Sequence, residues 1–143
     1  TGQPMLRYRT RDICTLDDNT CPCGRTTMRM SRLAGRTDDM LIIRGVNVFP
    51  GQIESVLAGV SGVAPHYLLV ADREASLDNL EVRIELTEEM FSDTVSQIQE
   101  LSHLVSSQIK SVVGIQAEVK LVPPRSLPRS EGKSKRVVDK RRI

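Results

Sequence analysis

The sequence predicts an α+β fold, a small sandwich in which helices cover one face of a mainly antiparallel sheet. Two apolar β-type runs within residues 40–49 predict a β-hairpin, which an extended N-terminal segment precedes. Residues 66–72 and 80–86 are the clearest strands, and the second alternates between apolar and polar side chains. From 94 to 113, a single apolar stripe at helical spacing predicts a long amphipathic helix packed on the sheet.

The first part of the chain is extended and rich in turns. Residues 1–13 are expected to be extended, because Leu6, Tyr8 and Thr10 alternate with three arginines at positions 7, 9 and 11. Residues 17–24, DDNTCPCG, indicate an irregular turn. In the hairpin, MLII and VNVF flank Arg44 and Gly45. A glycine there indicates a tight turn whose backbone a ligand can approach closely.

The remaining elements follow in the order helix, strand, strand, helix, strand. Pro50 lies where a helix begins, and apolar residues at helical spacing continue as far as Gly59. Residues 73–79 are expected to form the loop between the two clear strands. Gly114 ends the long helix, and residues 117–122 form a last strand before two prolines.

Positive charge is concentrated near the C-terminus. The 143 residues have a net charge of +2, yet residues 129–142 contain seven basic and two acidic side chains. The rest of the chain is therefore slightly acidic, whereas nucleic-acid-binding domains usually carry a basic face. With no Trp, two Phe and two Tyr, the chain also has few aromatic rings on which bases could stack.

Cysteine content and apolar runs indicate the compartment. Cys14, Cys21 and Cys23 form an odd set with two members one residue apart, which disfavours a secreted disulfide scaffold and predicts a cytoplasmic location. No apolar run approaches the ~20 residues of a membrane span, and the N-terminal residues lack the apolar core of a secretory signal. These residues read like the middle of a longer chain.

Four stretches contain residues suited to chemistry: YRTRD (8–12), CPCGR (21–25), GRTDDMLIIRGVNVFPGQIE (35–54) and PRSEGKSKR (128–136). Each alone has an ordinary structural interpretation. An aspartate among arginines forms a surface ion pair, Gly-Arg-Thr-Asp forms a turn, and Gly-Lys in a basic segment belongs to a solvated tail.

Together and in this order, the motifs resemble the C-terminal portion of acyl-adenylate-forming ligases, most closely of the phenylacetate–coenzyme A ligase family. YRTRD is similar to a strand-end motif that binds ribose, and GRTDDMLIIRGVNVFPGQIE is similar to the motif at the hinge between the large and small domains. PRSEGK resembles the closing Gly-Lys motif. The resemblance implies that residues 1–36 end the large adenylation domain and that residues 37–143 form the small C-terminal lid domain.

The activity that the resemblance implies is an AMP-forming acid–thiol ligase of phenylacetate catabolism. Such an enzyme joins phenylacetate or a related aryl acid to AMP from ATP, then transfers the acyl group to coenzyme A. The implied partners are these small molecules and the N-terminal domain of the same chain, with no nucleic acid or membrane; an oligomer is compatible. The chain alone is expected to be inactive because most of the active site lies outside it.

The resemblance assigns nucleotide and catalytic roles to three residues. Asp12 and Arg36 are expected to meet the ribose, since a carboxylate accepts hydrogen bonds from hydroxyls and a guanidinium is a fixed donor fork. Lys133 corresponds to the lysine that attracts both the attacking carboxylate and the α-phosphate during adenylation. The closing motif is one residue shorter than usual, so Lys135 is the alternative. The other tail charges are expected on a solvated helix face: Arg136, Lys140, Arg141 and Arg142.

The hinge motif supplies the remaining assignments. Asp38 corresponds to the hinge residue about which the lid domain turns, a position that must absorb a change in φ and ψ. Gly45 corresponds to the place where the pantetheine of coenzyme A passes along bare backbone. Its neighbours Arg44 and Val46 are assigned to the same coenzyme A contact.

No metal ligand is expected among these site residues, and the Mg²⁺ that accompanies ATP would be held mainly by the missing large domain. Zinc at Cys21 and Cys23 is an alternative, although C-x-C is tighter than the usual spacer between zinc ligands. His66 falls in a predicted strand and His103 in the long helix, so neither completes an obvious ligand set.

Two other classes of function stay open on the residues alone. A basic-tailed nucleic-acid-binding domain would lose affinity steeply with salt and on deletion of residues 129–142. A stand-alone ferredoxin-like regulatory module would bind a small ligand or a second copy of itself.

Overall fold

A computed structural model describes residues 6–92, 95–129 and 136–141. The chain divides into two compact units, Thr1–Asp39 and Met40–Ile143. The predicted α+β class is confirmed. The assignment of the two parts of the chain to an adenylation domain and a lid stays a prediction.

Among residues 6–39 of the first unit, four two-residue strands form two ladders. Strand β1 (Asp12–Ile13) pairs antiparallel with β4 (Gly35–Arg36), and β2 (Leu16–Asp17) pairs antiparallel with β3 (Arg29–Met30). The turn at Cys21 is closed by the Gly24 N–H, which donates to the Cys21 carbonyl at 2.8 Å.

The second unit begins with the predicted hairpin. Strand β5 (Leu41–Ile43) pairs with β6 (Val46–Val48), and the two turn residues have positive φ angles, 51° at Arg44 and 79° at Gly45. Two consecutive positive φ angles are typical of a type I′ turn, which matches the natural twist of the strands. The glycine takes the second of these positions without steric cost.

Helix α1 (Pro50–Leu57) begins directly after the hairpin, as predicted. Pro50 occupies the first turn, where backbone N–H groups have no intrahelical acceptor, so its missing N–H costs no hydrogen bond. The Gln52 side chain accepts a hydrogen bond from the Phe49 N–H at 3.0 Å, which satisfies a backbone donor ahead of the helix.

A four-stranded sheet forms the centre of the second unit. Strands β7 (Val63–Glu74) and β8 (Leu77–Leu86) form a long antiparallel hairpin, and the expected loop at 73–79 is wrong because pairing continues to Glu74 and Leu77. After β8, the chain forms a short helix, α2 (Glu88–Phe91), and then the long helix α3 (Val95–Val113).

Both edge strands run parallel to their neighbours. Strand β9 (Glu118–Val122) pairs with β8, and β10 (Val137–Asp139) pairs with β7. The expectation that this part of the tail is a solvated helix face is therefore wrong. Two adjacent valines give too short a run for a periodicity to identify the strand.

The core lies between the helices and one sheet face. Alternate residues of β8 from Leu80 to Leu86 are buried with apolar residues of α1 and α3 in one cluster, as expected when strand side chains alternate between faces. Gly114, with φ at 85°, ends α3, and its N–H donates to the Lys110 carbonyl at 2.9 Å. Within the described ranges, no helix combines the length and apolar character needed to cross a bilayer.

Candidate functional site

Asp12 and Arg36 are direct cross-strand partners in the first unit. Side chains opposite each other in an antiparallel pair lie on the same face of the ladder. The two residues that the sequence assigns to ribose binding therefore present a carboxylate and a guanidinium side by side. Arg11, next to Asp12, adopts a left-handed conformation with φ at 66°, and its carbonyl accepts the Thr37 N–H at 2.8 Å.

Arg36 also holds the predicted hinge residue. Its Nε donates to Asp38 Oδ1 at 2.9 Å, and its Nη2 donates to Asp38 Oδ2 at 2.8 Å, a two-point fork. The hydrogen bond and charge of Asp38 raise the pKa of Arg36, with smaller contributions from Asp12 and Asp39. The same hydrogen bond lowers the pKa of Asp38 below its ordinary value. The structure thus brings Asp12, Arg36 and Asp38 together.

The Arg44–Gly45 turn is open at its tip. A Cβ built at Gly45 meets no atom within 4 Å, so the bare backbone faces free space. Val46 is half-buried and packs against the core. The Arg44 side chain is used within the fold, because its Nε donates to the Asp78 carbonyl at 2.7 Å and its Nη2 to Asn79 Oδ1 at 2.6 Å.

Lys133 and the alternative Lys135 lie outside the described residues, and so do Gly132 and Arg142. The structure describes the chain on both sides of residues 130–135. On the N-terminal side, residues 125–129 are attached to a buried carboxylate that the sequence analysis did not single out.

That carboxylate is Glu85 of β8, which is 1% exposed. Its Oε1 accepts the Leu127 N–H at 2.8 Å, and its Oε2 accepts the Arg125 N–H at 3.2 Å and Arg129 Nη2 at 2.7 Å. Burial raises the pKa of Glu85, but the three donors together outweigh it and lower that pKa overall. The alternation of LEVRIEL predicts an outward-facing residue here, and no local signal shows that 125–129 covers it.

On the C-terminal side, Arg136 ties the start of β10 to helix α1. Its Nη1 contacts Glu54 in an ion pair and donates to the Tyr67 hydroxyl at 3.2 Å, and its guanidinium lies 5.0 Å from the centre of the Tyr67 ring. Burial raises the pKa of Tyr67 despite this cation. Backbone pairing adds to the attachment, since the Leu69 N–H donates to the Arg136 carbonyl at 2.9 Å.

The paired cysteines of the first unit have adjacent thiols. The Sγ atoms of Cys21 and Cys23 are 3.0 Å apart, and the hydrogen bond from Cys21 lowers the pKa of the Cys23 thiol. In the part of the chain that the structure describes, no group of three or more His, Cys, Asp or Glu side chains is arranged to hold a metal ion.

Curated relatives match along nearly the whole chain. The phenylacetate–coenzyme A ligase of Thermus thermophilus is 45% identical over 99% of this chain and 35% of its own length. The corresponding ligase of Escherichia coli is 47% identical over 98% of this chain and 31% of its own length. The chain therefore spans about a third of the curated relatives it matches.

A solved structure has the same fold. 2-Hydroxyisobutyryl-CoA ligase in its postadenylation state, in complex with R3-HIB-AMP, has a TM-score of 0.82 and 34% identity over 96% of this chain and 29% of its own. In its thioesterification state with coenzyme A, that ligase gives a TM-score of 0.68 at 34% identity over 95% of this chain and 28% of its own.

A sequence model described as the AMP-binding enzyme C-terminal domain matches residues 45–141, about two-thirds of the chain. That range contains Gly45 of the hairpin turn, helices α1, α2 and α3, and all four strands of the sheet. The match thus covers most of the folded core of the second unit together with the segment that carries Lys133. This chain belongs to the family of AMP-binding enzyme C-terminal domains.

Proposed function

We propose that this chain is the C-terminal part of an AMP-forming ligase that converts phenylacetate or a related aryl acid into its coenzyme A thioester. The observation that carries the proposal is the 40–47% identity to four phenylacetate–coenzyme A ligases over at least 96% of the chain. ATP and coenzyme A are then the cosubstrates. Residues 1–36 would end the adenylation domain, and residues 37–143 would form the lid.

In the first half-reaction, Asp12 and Arg36 bind the ribose of the nucleotide. Their side-by-side placement on the β1–β4 ladder supports this role, because ribose hydroxyls need both acceptors and donors. Lys133 attracts the acid carboxylate and the α-phosphate as they meet, and it stabilises the charge that builds up in the transition state. The Glu85 and Arg136 attachments fix the chain on either side of the segment that contains it.

In the second half-reaction, the lid turns about Asp38 and the Gly45 turn lines the path of the coenzyme A thiol. The open space around Gly45 supports this role, since a thin pantetheine chain could lie against its backbone. The Arg36–Asp38 fork gives the hinge residue a defined partner, so rotation about Asp38 would exchange this contact for another.

Two metal ions bear on the proposal, the Mg²⁺ that accompanies ATP and a structural zinc at the paired cysteines. We assign the Mg²⁺ of ATP mainly to the part of the adenylation domain that lies outside this chain. Cys21 and Cys23 supply two thiols, whereas a structural zinc site takes four ligands, so zinc here would require two more ligands from elsewhere. We place the enzyme in the cytoplasm, on the basis of its odd set of unpaired cysteines.

Two comparisons test the proposal. The full-length protein should catalyse phenylacetate-dependent ATP–pyrophosphate exchange and form phenylacetyl-CoA, whereas purified residues 1–143 should do neither, because they supply only one side of the site. Exchange by residues 1–143 alone would contradict the domain assignment. A full-length protein that is inactive with every aryl acid tried, including benzoate and indoleacetate, would contradict the function.

A further inference from the structure

Arg141, at the end of the basic segment, is mostly buried and connects three elements. Its side chain is 12% exposed. Nε donates to Asp139 Oδ1 at 2.9 Å and Nη2 to Asp139 Oδ2 at 2.6 Å, while Nη1 donates to Asp78 Oδ2 at 2.9 Å and to the Ile42 carbonyl at 2.6 Å. One guanidinium therefore joins the end of β10, the start of β8 and the first strand of the β5–β6 hairpin.

The Ile42 carbonyl is on the outer edge of that hairpin. In a hairpin with a two-residue loop, the pair next to the turn, here Ile43 and Val46, exchanges hydrogen bonds, so the next pair points its carbonyls outward. Leu41 and Ile43 of β5 pack in the core, and the outward carbonyl of Ile42 takes its donor from outside the hairpin. Arg141 provides that donor.

A second arginine fixes the same hairpin to the same place. Arg44, the first turn residue, donates to the Asp78 carbonyl and to Asn79 Oδ1. The Asp78 carboxylate is itself held from the other side by Arg73 Nε at 2.7 Å. The turn and the outer strand edge are thus both bound to the start of β8, by two arginines that use different atoms of Asp78.

We propose that Arg141 is a positioning residue for the thioester-forming half-reaction, because it holds the Arg44–Gly45 turn in place. This inference rests on the proposed function, in which that turn lines the coenzyme A path. The attachment of β10 does not depend on the Arg141 side chain, since backbone bonds join β10 to β7 and the Lys140 N–H donates to the Ala71 carbonyl at 2.8 Å. Loss of the side chain should therefore affect the hairpin and spare the segment that contains Lys133.

The experiment compares Arg141→Gln with Arg83→Gln in the full-length ligase. Arg83 is a matched control because it also pairs with a carboxylate on β8, that of Glu81, and among the described residues no hydrogen bond or ion pair joins it to the hairpin. Adenylation is followed by ATP–pyrophosphate exchange, and thioester formation by mixing supplied phenylacetyl-adenylate with coenzyme A. A displacement of about 1 Å in a positioned group can cost on the order of 100-fold in rate.

We expect Arg141→Gln to lower kcat for thioester formation about 10- to 100-fold while adenylation changes less than about threefold, and Arg83→Gln to leave both rates near wild type. Arg141→Lys keeps the charge but not the planar fork, so its ratio of the two rates should lie between those of wild type and Arg141→Gln. If Arg141→Gln does not fold, the Arg141→Lys ratio decides. In Arg141→Gln, amide hydrogen exchange should quicken more at residues 44–47 than elsewhere in the second unit.

Two results would overturn the positioning role and leave Arg141 as a general support of the fold. One is an equal loss of rate in both half-reactions, and the other is amide hydrogen exchange that quickens uniformly across the second unit. Failure of the proposed function gives a different result, because the wild-type protein would then form neither phenylacetyl-adenylate nor thioester. The two failures are therefore distinguishable in one set of assays.

Discussion

Substitution of Glu85 should strongly lower the stability of the second unit. Its carboxylate is 1% exposed and accepts two backbone N–H groups and one arginine donor. In Glu85→Ala, the buried Leu127 N–H loses its acceptor, which costs about 1–3 kcal/mol. The Arg125 N–H and the Arg129 side chain lie nearer to solvent and can regain water, so their loss adds about 1 kcal/mol.

We therefore expect Glu85→Ala to lower the free energy of unfolding by about 2–4 kcal/mol. For a unit of roughly 100 residues this corresponds to a fall in Tm on the order of 10–20 °C. Far-UV circular dichroism during urea and thermal unfolding of residues 1–143 provides the measurement. Glu118→Ala is the control, because the Glu118 side chain on β9 is 65% exposed, and its substitution should stay within about 0.5 kcal/mol.

The pH dependence of the free energy of unfolding distinguishes the contribution of the Glu85 charge from that of its side-chain shape. Because the folded pKa lies below the ordinary value of 4.5, the ionised carboxylate stabilises the fold above that pH, and the advantage over Glu85→Gln disappears as the pH falls through the folded pKa. A difference between wild type and Glu85→Gln that stays constant or widens on acidification would refute the reasoning. So would a Glu85→Ala variant as stable as the control.

Three further predictions concern single positions. Lys133→Ala in the full-length ligase should slow ATP–pyrophosphate exchange by roughly two to three powers of ten and spare thioester formation from supplied adenylate, whereas Lys135→Ala should do much less; similar losses from both would contradict the catalytic-lysine assignment. Gly45→Asn should impair thioester formation more than adenylation, and asparagine is chosen because it tolerates positive φ. Gly114→Asn, at a helix end with similarly open space, is the control and should leave the ratio of the two rates unchanged. An unchanged ratio in Gly45→Asn would mean that Gly45 serves the turn alone. Gly62→Ala should destabilise residues 1–143 more than Gly114→Ala in urea unfolding, because both have positive φ but a Cβ at Gly62 would lie 2.6 Å from a methionine methyl carbon of α2; equal losses would show that this side chain moves aside freely.

Local patterns in the sequence predicted the elements that are determined by neighbouring residues. The hairpin follows from a glycine between two apolar runs, the start of α1 from Pro50, and α3 from a stripe that Gly114 ends. Helical periodicity and turn chemistry act over a few residues, so they can be read directly from the chain. The resemblance to known ligases, rather than periodicity, identified Asp12 and Arg36, which the structure pairs across two strands.

Long-range contacts were the part that local patterns could not predict. Glu85 accepts a hydrogen bond from a residue 42 positions later, and Arg141 donates to a carbonyl 99 positions earlier. In a sequence, an acidic residue at an alternating strand position and an arginine in a basic run both indicate solvent exposure. Their burial depends on which segment packs over them, and that is decided by the topology of the whole unit.

The described residues of the basic segment near the C-terminus, Arg129 and 136–141, are attached to the fold. Arg129 is bound to the buried Glu85, and Arg136 is bound to Glu54 and Tyr67, so the two described residues that flank 130–135 are each attached to a rigid element. Arg141 pairs with two carboxylates, so three of the seven basic side chains of residues 129–142 form ion pairs within the fold. A diffuse electrostatic grip on nucleic acid needs unpaired cations. A lysine that must act at one phosphate benefits instead from fixed flanks, because less conformational freedom is lost when it binds.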